Sequence, residues 1–185
     1  MRTTRFMTLF LPVVLTLLAV GCASNGTVAG GDAALPANEN SAAFLDRVSA
    51  KGTVSENDAA RGLLMLRDGT DKAETFAQRV ATLREAKIAD ASWDHAADRP
   101  ITRGRLAQMV YQSIDIPGGV ILTLTGPSQR YCARELQYRR MMTKSPLDSP
   151  VSGMEFVAVI TRAATYKQTG EVPDLVGNTS TDPKE

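Results

Sequence analysis

The sequence predicts an all-α domain: a small bundle of about six helices arranged as three helix-loop-helix units with pseudo-threefold symmetry. Three observations predict it. Apolar residues along 41–166 recur at helical spacing, as in the stripe Phe76, Val80, Leu83. A β-branched residue followed by Ser or Thr opens an apolar-faced helix three times, at Val54-Ser55, Ile101-Thr102 and Val151-Ser152. The offsets between them are 47 and 50 residues, and each is preceded by another helical segment and a loop. Such a unit cannot bury its apolar face alone, and about three are needed for a shared core. Ser/Thr caps recurring on unrelated helices would give the same alignment, which is the competing reading.

The elements follow in order. Ser41 caps a first helix that buries Phe44, Leu45 and Val48 and is stopped by Gly52. Ser55 caps a second, with Glu56 and Asp58 in the first turn, where acidic groups suit the macrodipole. It carries Leu63, Leu64 and Leu66 and stops at Asp68-Gly69. A third runs from about Asp71 to Lys87. Trp93 lies in the loop that follows, and Pro100 keeps the residue before it extended. Thr102 caps a fourth helix carrying Leu106, Met109, Val110 and Ile114, ended by Ile116-Pro117-Gly118-Gly119. Val120 to Thr125 alternates β-formers with threonine. A lone strand cannot satisfy its backbone, so an extended loop packed on the helices is expected there. Gly126-Pro127-Ser128 opens a fifth helix to about Thr143, with Cys132 and Leu136 on one face. Pro146 and Pro150 break the chain, and Ser152 caps a sixth helix burying Phe156, Val159, Ile160 and Ala163.

The flanks differ in kind. Arg2 and Arg5 precede an apolar run, Phe6 to Val20, too short for the roughly 20 residues that span a bilayer. A basic start, an apolar run and then small residues form a secretory signal peptide over residues 1–21. Its end, Ala19-Val20-Gly21-Cys22, resembles the lipobox of bacterial lipoproteins. The resemblance implies lipidation of Cys22, palmitate included, and anchoring in the cell envelope. Several acyl chains hold a protein stably, at about 0.8 kcal/mol per buried methylene. Ala23 rather than Asp after the cysteine favours the outer membrane where the organism has one. An ordinary export signal with an incidental cysteine is the plainer alternative. Residues 22–40, rich in Ala, Gly, Ser and Asn, read as a flexible tether, and 167–185, with Gly170, Pro173, Gly177 and Pro183, as a disordered tail.

Composition excludes several classes. The formal net charge is +1, and loss of Arg2 and Arg5 with the signal turns it slightly acidic, so neither nucleic acid nor a polybasic membrane surface is expected as a partner. Two cysteines exclude a disulfide-dense scaffold, and one histidine excludes a His-rich metal site. With Cys22 lipidated, Cys132 has no intrachain partner and reads as a small buried hydrophobe. No Walker, Rossmann, Gly-x-Ser-x-Gly or His-Glu-x-x-His pattern occurs. Asp90, Asp94, Asp98 and His95 lack the spacing of a calcium loop and read as solvated charges. Glu135 and Glu155 form a carboxylate pair only where the fold brings them together. No cofactor, metal or catalytic residue is assigned.

The segment Val80-Ala81-Thr82-Leu83 through Ile88 to Asp98-Arg99-Pro100-Ile101-Thr102-Arg103-Gly104-Arg105-Leu106-Ala107 resembles an S-layer homology domain. Ser152-Gly153-Met154-Glu155-Phe156-Val157 is similar to the same element. The family pattern opens its second helix with Thr-Arg-Ala-Glu-Phe-Ala. The resemblance implies a pseudo-threefold helical module that binds cell-wall polysaccharide in grooves lined by the motif's arginine. Here Arg103 alone matches that arginine; Arg105 stands for the glutamate, Gly153 replaces the arginine in the third copy, and the first copy has Glu56 and Asp58. The expected function is a non-enzymatic envelope lipoprotein that contacts cell-wall polymer. Arg103 would donate to it, and Trp93 or Tyr138 would offer a stacking face. The alternative is a protein-interaction subunit of an envelope complex, favoured by an exposed Met109 or Met141-Met142 patch.

Overall fold

The computed structural model describes residues 40–172 apart from 115, 119–121, 123 and 125. Residues 1–39, where the signal and most of the tether are expected, and residues 173–185 lie outside it. Among the described residues the chain forms six helices: α1 (Ser41–Ser49), α2 (Glu56–Asp68), α3 (Phe76–Glu85), α4 (Arg103–Ser113), α5 (Gln129–Tyr138) and α6 (Gly153–Thr169). Each starts on an extended N-cap whose side chain accepts from a backbone N–H three residues on. The caps are Asn40, Ser55, Thr75, Thr102, Ser128 and Ser152. Such a cap contributes about 1 kcal/mol.

Taken in chain order as three helix-loop-helix units, α1–α2, α3–α4 and α5–α6, the helices pack mainly between units rather than within them. α2 packs on α3, α4 on α5, and α6 returns to α1. At the centre lie the three β-branched residues that precede the caps of α2, α4 and α6. Ile101 N–H donates to Val54 C=O at 2.9 Å, Val54 N–H to Val151 C=O at 2.9 Å, and Val151 N–H to Ile101 C=O at 3.1 Å. The ring is cyclic, and all three side chains are buried. Around it Phe44, Leu63, Leu83, Leu106, Leu136 and Phe156 fill one core.

Several boundaries differ from expectation, each for a local reason. Asn40, not Ser41, caps α1. α3 starts at Phe76 because Thr75 and Gln78 form a reciprocal capping box. α5 ends at Tyr138, short of Thr143, because Arg140 turns left-handed (φ 58°) and sends the N–H groups of Met141 and Met142 back to Leu136 C=O. Lys87 does the same after α3, returning Ile88 and Ala89 to Leu83 C=O. Residues 167–169, expected in the tail, are helical: α6 continues through Thr169 to a Gly170 cap. Lys167 Nζ donates to Leu66 and Arg67 C=O at the end of α2, which binds the last turn of α6 to the domain. Leu122 and Leu124 are helical rather than extended; residues 120, 121, 123 and 125 of that segment lie outside the described residues.

A buried ion cluster pins the α2–α3 connection. Arg79 Nε meets Asp71 Oδ2 at 2.6 Å, and its guanidinium also donates to Asn57 Oδ1 and Ala73 C=O. Arg61 lies 3.8 Å from the same carboxylate and over the Phe44 ring.

Gly153 shows how closely the ring is drawn. A Cβ there would lie 2.0 Å from Val48 O and 2.8 Å from Lys51 O, both backbone atoms at the end of α1. At Gly52 a Cβ meets nothing within 4 Å. Gly153→Ala should therefore lower stability by about 1–3 kcal/mol or more in urea denaturation, with Gly52→Ala close to neutral. Equal effects would show that α6 does not sit on α1 this closely.

Candidate functional site

The backbone ring brings equivalent positions of neighbouring units face to face. The first residue of α2 and of α4 meets the third residue of the next unit's capped helix. In the first slot these are Glu56 and Arg105, with Arg105 Nη1 2.6 Å from Glu56 Oε1. In the second they are Arg103 and Glu155, with Arg103 Nη2 2.6 Å from Glu155 Oε2. In the third, Gly153 supplies no side chain. Asp58 is held within its own unit by Lys51 Nζ at 2.5 Å, Arg47 at 3.4 Å and Ser55 Oγ at 2.9 Å.

The first slot is saturated. The Glu56 carboxylate is 4 % exposed and takes four donors. Oε1 accepts from Arg99 Nε at 2.8 Å and from Arg105; Oε2 accepts from Ala96 N–H at 3.2 Å and His95 Nδ1 at 3.1 Å. The first two N–H groups of α2 donate to Arg99 and Ala97 C=O. One carboxylate at a helix N-terminus thus gathers the 93–99 loop. Burial pushes Glu56 up, but the Arg99 and Ala96 hydrogen bonds and the Arg105 and Arg99 charges outweigh it and hold the carboxyl below its ordinary value. Asp58 is likewise depressed, with Lys51 and Ser55 overcoming burial.

The second slot is under-satisfied. Arg103 and Glu155 are 17 % and 13 % exposed. Arg103 Nε and Glu155 Oε1 are buried without a hydrogen-bond partner, and Arg103 Nη1 reaches Thr143 Oγ1 only at 3.5 Å. Burial here prevails over the Arg103 charge and raises the Glu155 carboxyl above its ordinary value.

An open depression of about 350 Å³ lies beside the first slot, lined by Phe76, Val80, Arg84, Trp93, Asp94 and His95 among others. The Trp93 ring carries the Arg105 guanidinium 5.2 Å from its centroid.

The sequence-derived site residues are thus dispersed. Arg103 is ion-paired in the second slot. Trp93 stands at the first slot beside Arg105, not Arg103. Tyr138 ends α5 with 84 % exposure. Cys22 lies outside the described residues. Met109, Met141 and Met142 are buried, so the methionine patch expected of a protein-docking surface is core. Cys132 is fully buried, and burial pushes its thiol to about 12, which leaves it un-ionised. Glu135 is tied to Arg139, apart from Glu155 in its pair with Arg103, so they form no carboxylate pair through these contacts. No three His, Cys, Asp or Glu side chains among the described residues are placed to hold a metal ion. Glu56 and His95 are the pairing that sequence reasoning missed. Their 39-residue separation hides it. The available signal was Glu56 and Arg105 standing charge-reversed against Arg103 and Glu155.

The fold is an all-α module of three helix pairs. Comparison with protein-family models, with curated proteins and with solved structures gave no match for this chain.

The second slot predicts a recoverable charge swap, because the first slot already holds the reverse order. Arg103→Glu and Glu155→Arg should each destabilise, and the double variant should recover about 1 kcal/mol of coupling in a double-mutant cycle. No coupling would dissolve the slot. Acid should act through Glu56 and Asp58: a depressed carboxyl contributes stability above its unfolded value and loses it as pH falls through the folded one. Stability should thus fall below about pH 4.5. Glu56→Gln should flatten that slope, while raised Glu155 works in the opposite sense.

Proposed function

We propose that the chain is a non-enzymatic envelope lipoprotein, anchored through lipidated Cys22, whose three-unit helical module attaches to an anionic cell-wall or envelope polymer. The observation that carries this reading is the second slot. A guanidinium sits between two units with an unused Nε, opposite a carboxylate that burial disfavours in its charged form. An acidic group on a polymer displaces Glu155, which leaves protonated or swings to water, and takes the Arg103 fork. Tyr138 offers an exposed aromatic face for a sugar ring. Exchanging one carboxylate partner for another costs little Coulomb energy, so such contacts are reversible and salt-sensitive.

The anchor rests on the Ala19-Val20-Gly21-Cys22 pattern. Among the described residues no helix is long and apolar enough to cross a membrane. The competing reading, a protein-interaction subunit, lacks the methionine surface that would favour it.

Two measurements test the proposal. In a bacterial host fed labelled palmitate, the full chain should take up label and fractionate with membranes, and Cys22→Ala should lose both. The mature chain carrying Cys22→Ala should co-sediment with purified sacculi in a salt-sensitive manner. Arg103→Ala should weaken that binding several-fold and Glu155→Gln should strengthen it. Lipidation with no sedimentation would discard polymer attachment and leave the protein-partner reading.

A further inference from the structure

We propose that His95 is an acid-operated latch: protonation of its imidazole releases loop residues 93–96 from α2 while the six helices stay folded, uncovering the apolar flank of α3. This goes beyond polymer attachment and uses the first slot, not the second.

The closed state is built around a neutral ring. The His95 side chain is 9 % exposed. Glu56 is ionised and can only accept, so Nδ1 carries the proton and donates to Oε2. That leaves Nε2 as a bare acceptor, buried and without a hydrogen-bond partner. The rings of Phe76 and Trp93 lie 6.4 and 6.0 Å from the imidazole. An acceptor without a donor is a modest cost here. A protonated Nε2–H in the same place is a buried donor on a cation with nothing to receive it, which is far worse.

Glu56 cannot absorb the new charge. Its oxygens already serve Arg99, Arg105 and the Ala96 N–H besides His95. The charged groups around the ring are Glu56 from α2, Arg84 from α3, Asp94 and Arg99 from the loop, and Arg105 from α4. Three guanidiniums therefore already face two carboxylates, and Asp94 is 91 % exposed, so a fourth cation is repelled. Burial, aided by Arg84 and Arg105 and opposed by Glu56, holds His95 below its ordinary 6.5. The sign follows. An opened loop binds the proton more readily than a closed one, so closure is fully favoured above pH 6.5 and is lost as pH falls through the lower closed-state value.

The loop is made to lift at one end. Residues 97 and 99 are fixed by backbone bonds to the start of α2 and by the ring contact at Ile101. Residues 93–96 depend on His95 and Ala96 at Glu56, Arg84 donating to Trp93 C=O, the Arg99 and Arg105 contacts to Asp94 C=O, and Arg105 over Trp93. Beneath them a cavity of about 10 Å³, lined by Phe76, Val80, Leu83 and His95 among others, shows apolar side chains that the loop covers.

The chain has one histidine and one tryptophan, and both sit in this loop. The test follows directly on the full chain without lipid, titrated from pH 8 to pH 5. The His95 imidazole is followed by NMR, Trp93 by fluorescence and the helices by far-ultraviolet circular dichroism. The expected result is a change in Trp93 emission that tracks the His95 titration below pH 6.5, with helicity unchanged, and no such change in His95→Gln. Amide exchange in the unsubstituted protein gives a second reading that needs no variant. Opening of residues 93–96 should rise by up to about tenfold per pH unit, relative to the helices, as pH falls from 6.5 toward the lower closed-state value. Constant emission through the His95 titration, a change that survives in His95→Gln, helix loss coincident with it, or exchange that rises equally everywhere would each overturn the latch.

Discussion

Three backbone hydrogen bonds at the centre, linking Val54, Ile101 and Val151 head to tail, set the arrangement of everything else. Each residue is extended and buried, and an extended buried residue has an N–H and a C=O that no helix can serve. A sheet is the usual answer, but a lone strand leaves one side unpaired. Here each unit offers one such residue, and a cyclic exchange satisfies all six groups at 2.9–3.1 Å. The ring closes only if the three units have equivalent geometry. That requirement makes α6 return to α1, and it explains why Gly153 tolerates no Cβ against the carbonyls of α1.

Once the ring is closed, the residues after the caps have no freedom to choose their neighbours. The first residue of one capped helix faces the third of the next at two of the three junctions. The chemistry at the three junctions differs: Glu56 pairs with Arg105, Arg103 pairs with Glu155, and Gly153 lies on the backbone at the end of α1 while Asp58 binds Lys51 and Arg47. The two ion pairs are one arrangement with the charges exchanged: the first slot carries the acid on the first residue and the arginine on the third, and the second slot carries the reverse.

Caps and core were legible because their signals are local. Ser55, Thr102 and Ser152 cap as their side chains dictate, and Phe44, Leu63, Leu106 and Phe156 are buried as their periodicity requires. Two classes of feature were not. Lys87 and Arg140 take left-handed turns that glycine would announce and they do not, so the apolar pattern overextends α5. The end of α6 was hidden because Lys167 contacts residues about 100 positions earlier. The Glu56–His95 pair escaped because no local pattern joins a helix start to the next unit's loop. Its partner residues made sense along the chain as first-turn acid and solvated loop charge. Only the ring brings them together.

The two polar slots have opposite electrostatic character, and this separates their roles. Glu56 has four donors and a depressed carboxyl, so its charge is committed and the loop it gathers is closed by it. Glu155 has one ion-pair partner and a raised carboxyl, so its charge is held weakly. The difference lies in the loops. Ala89 to Ile101 is long enough to fold His95, Ala96 and Arg99 onto a carboxylate, whereas Met142 to Val151 is shorter and brings Thr143 only to the edge of Arg103. Loop length thus decides which ion pair is fully enclosed by donors and which keeps buried groups without a hydrogen-bond partner.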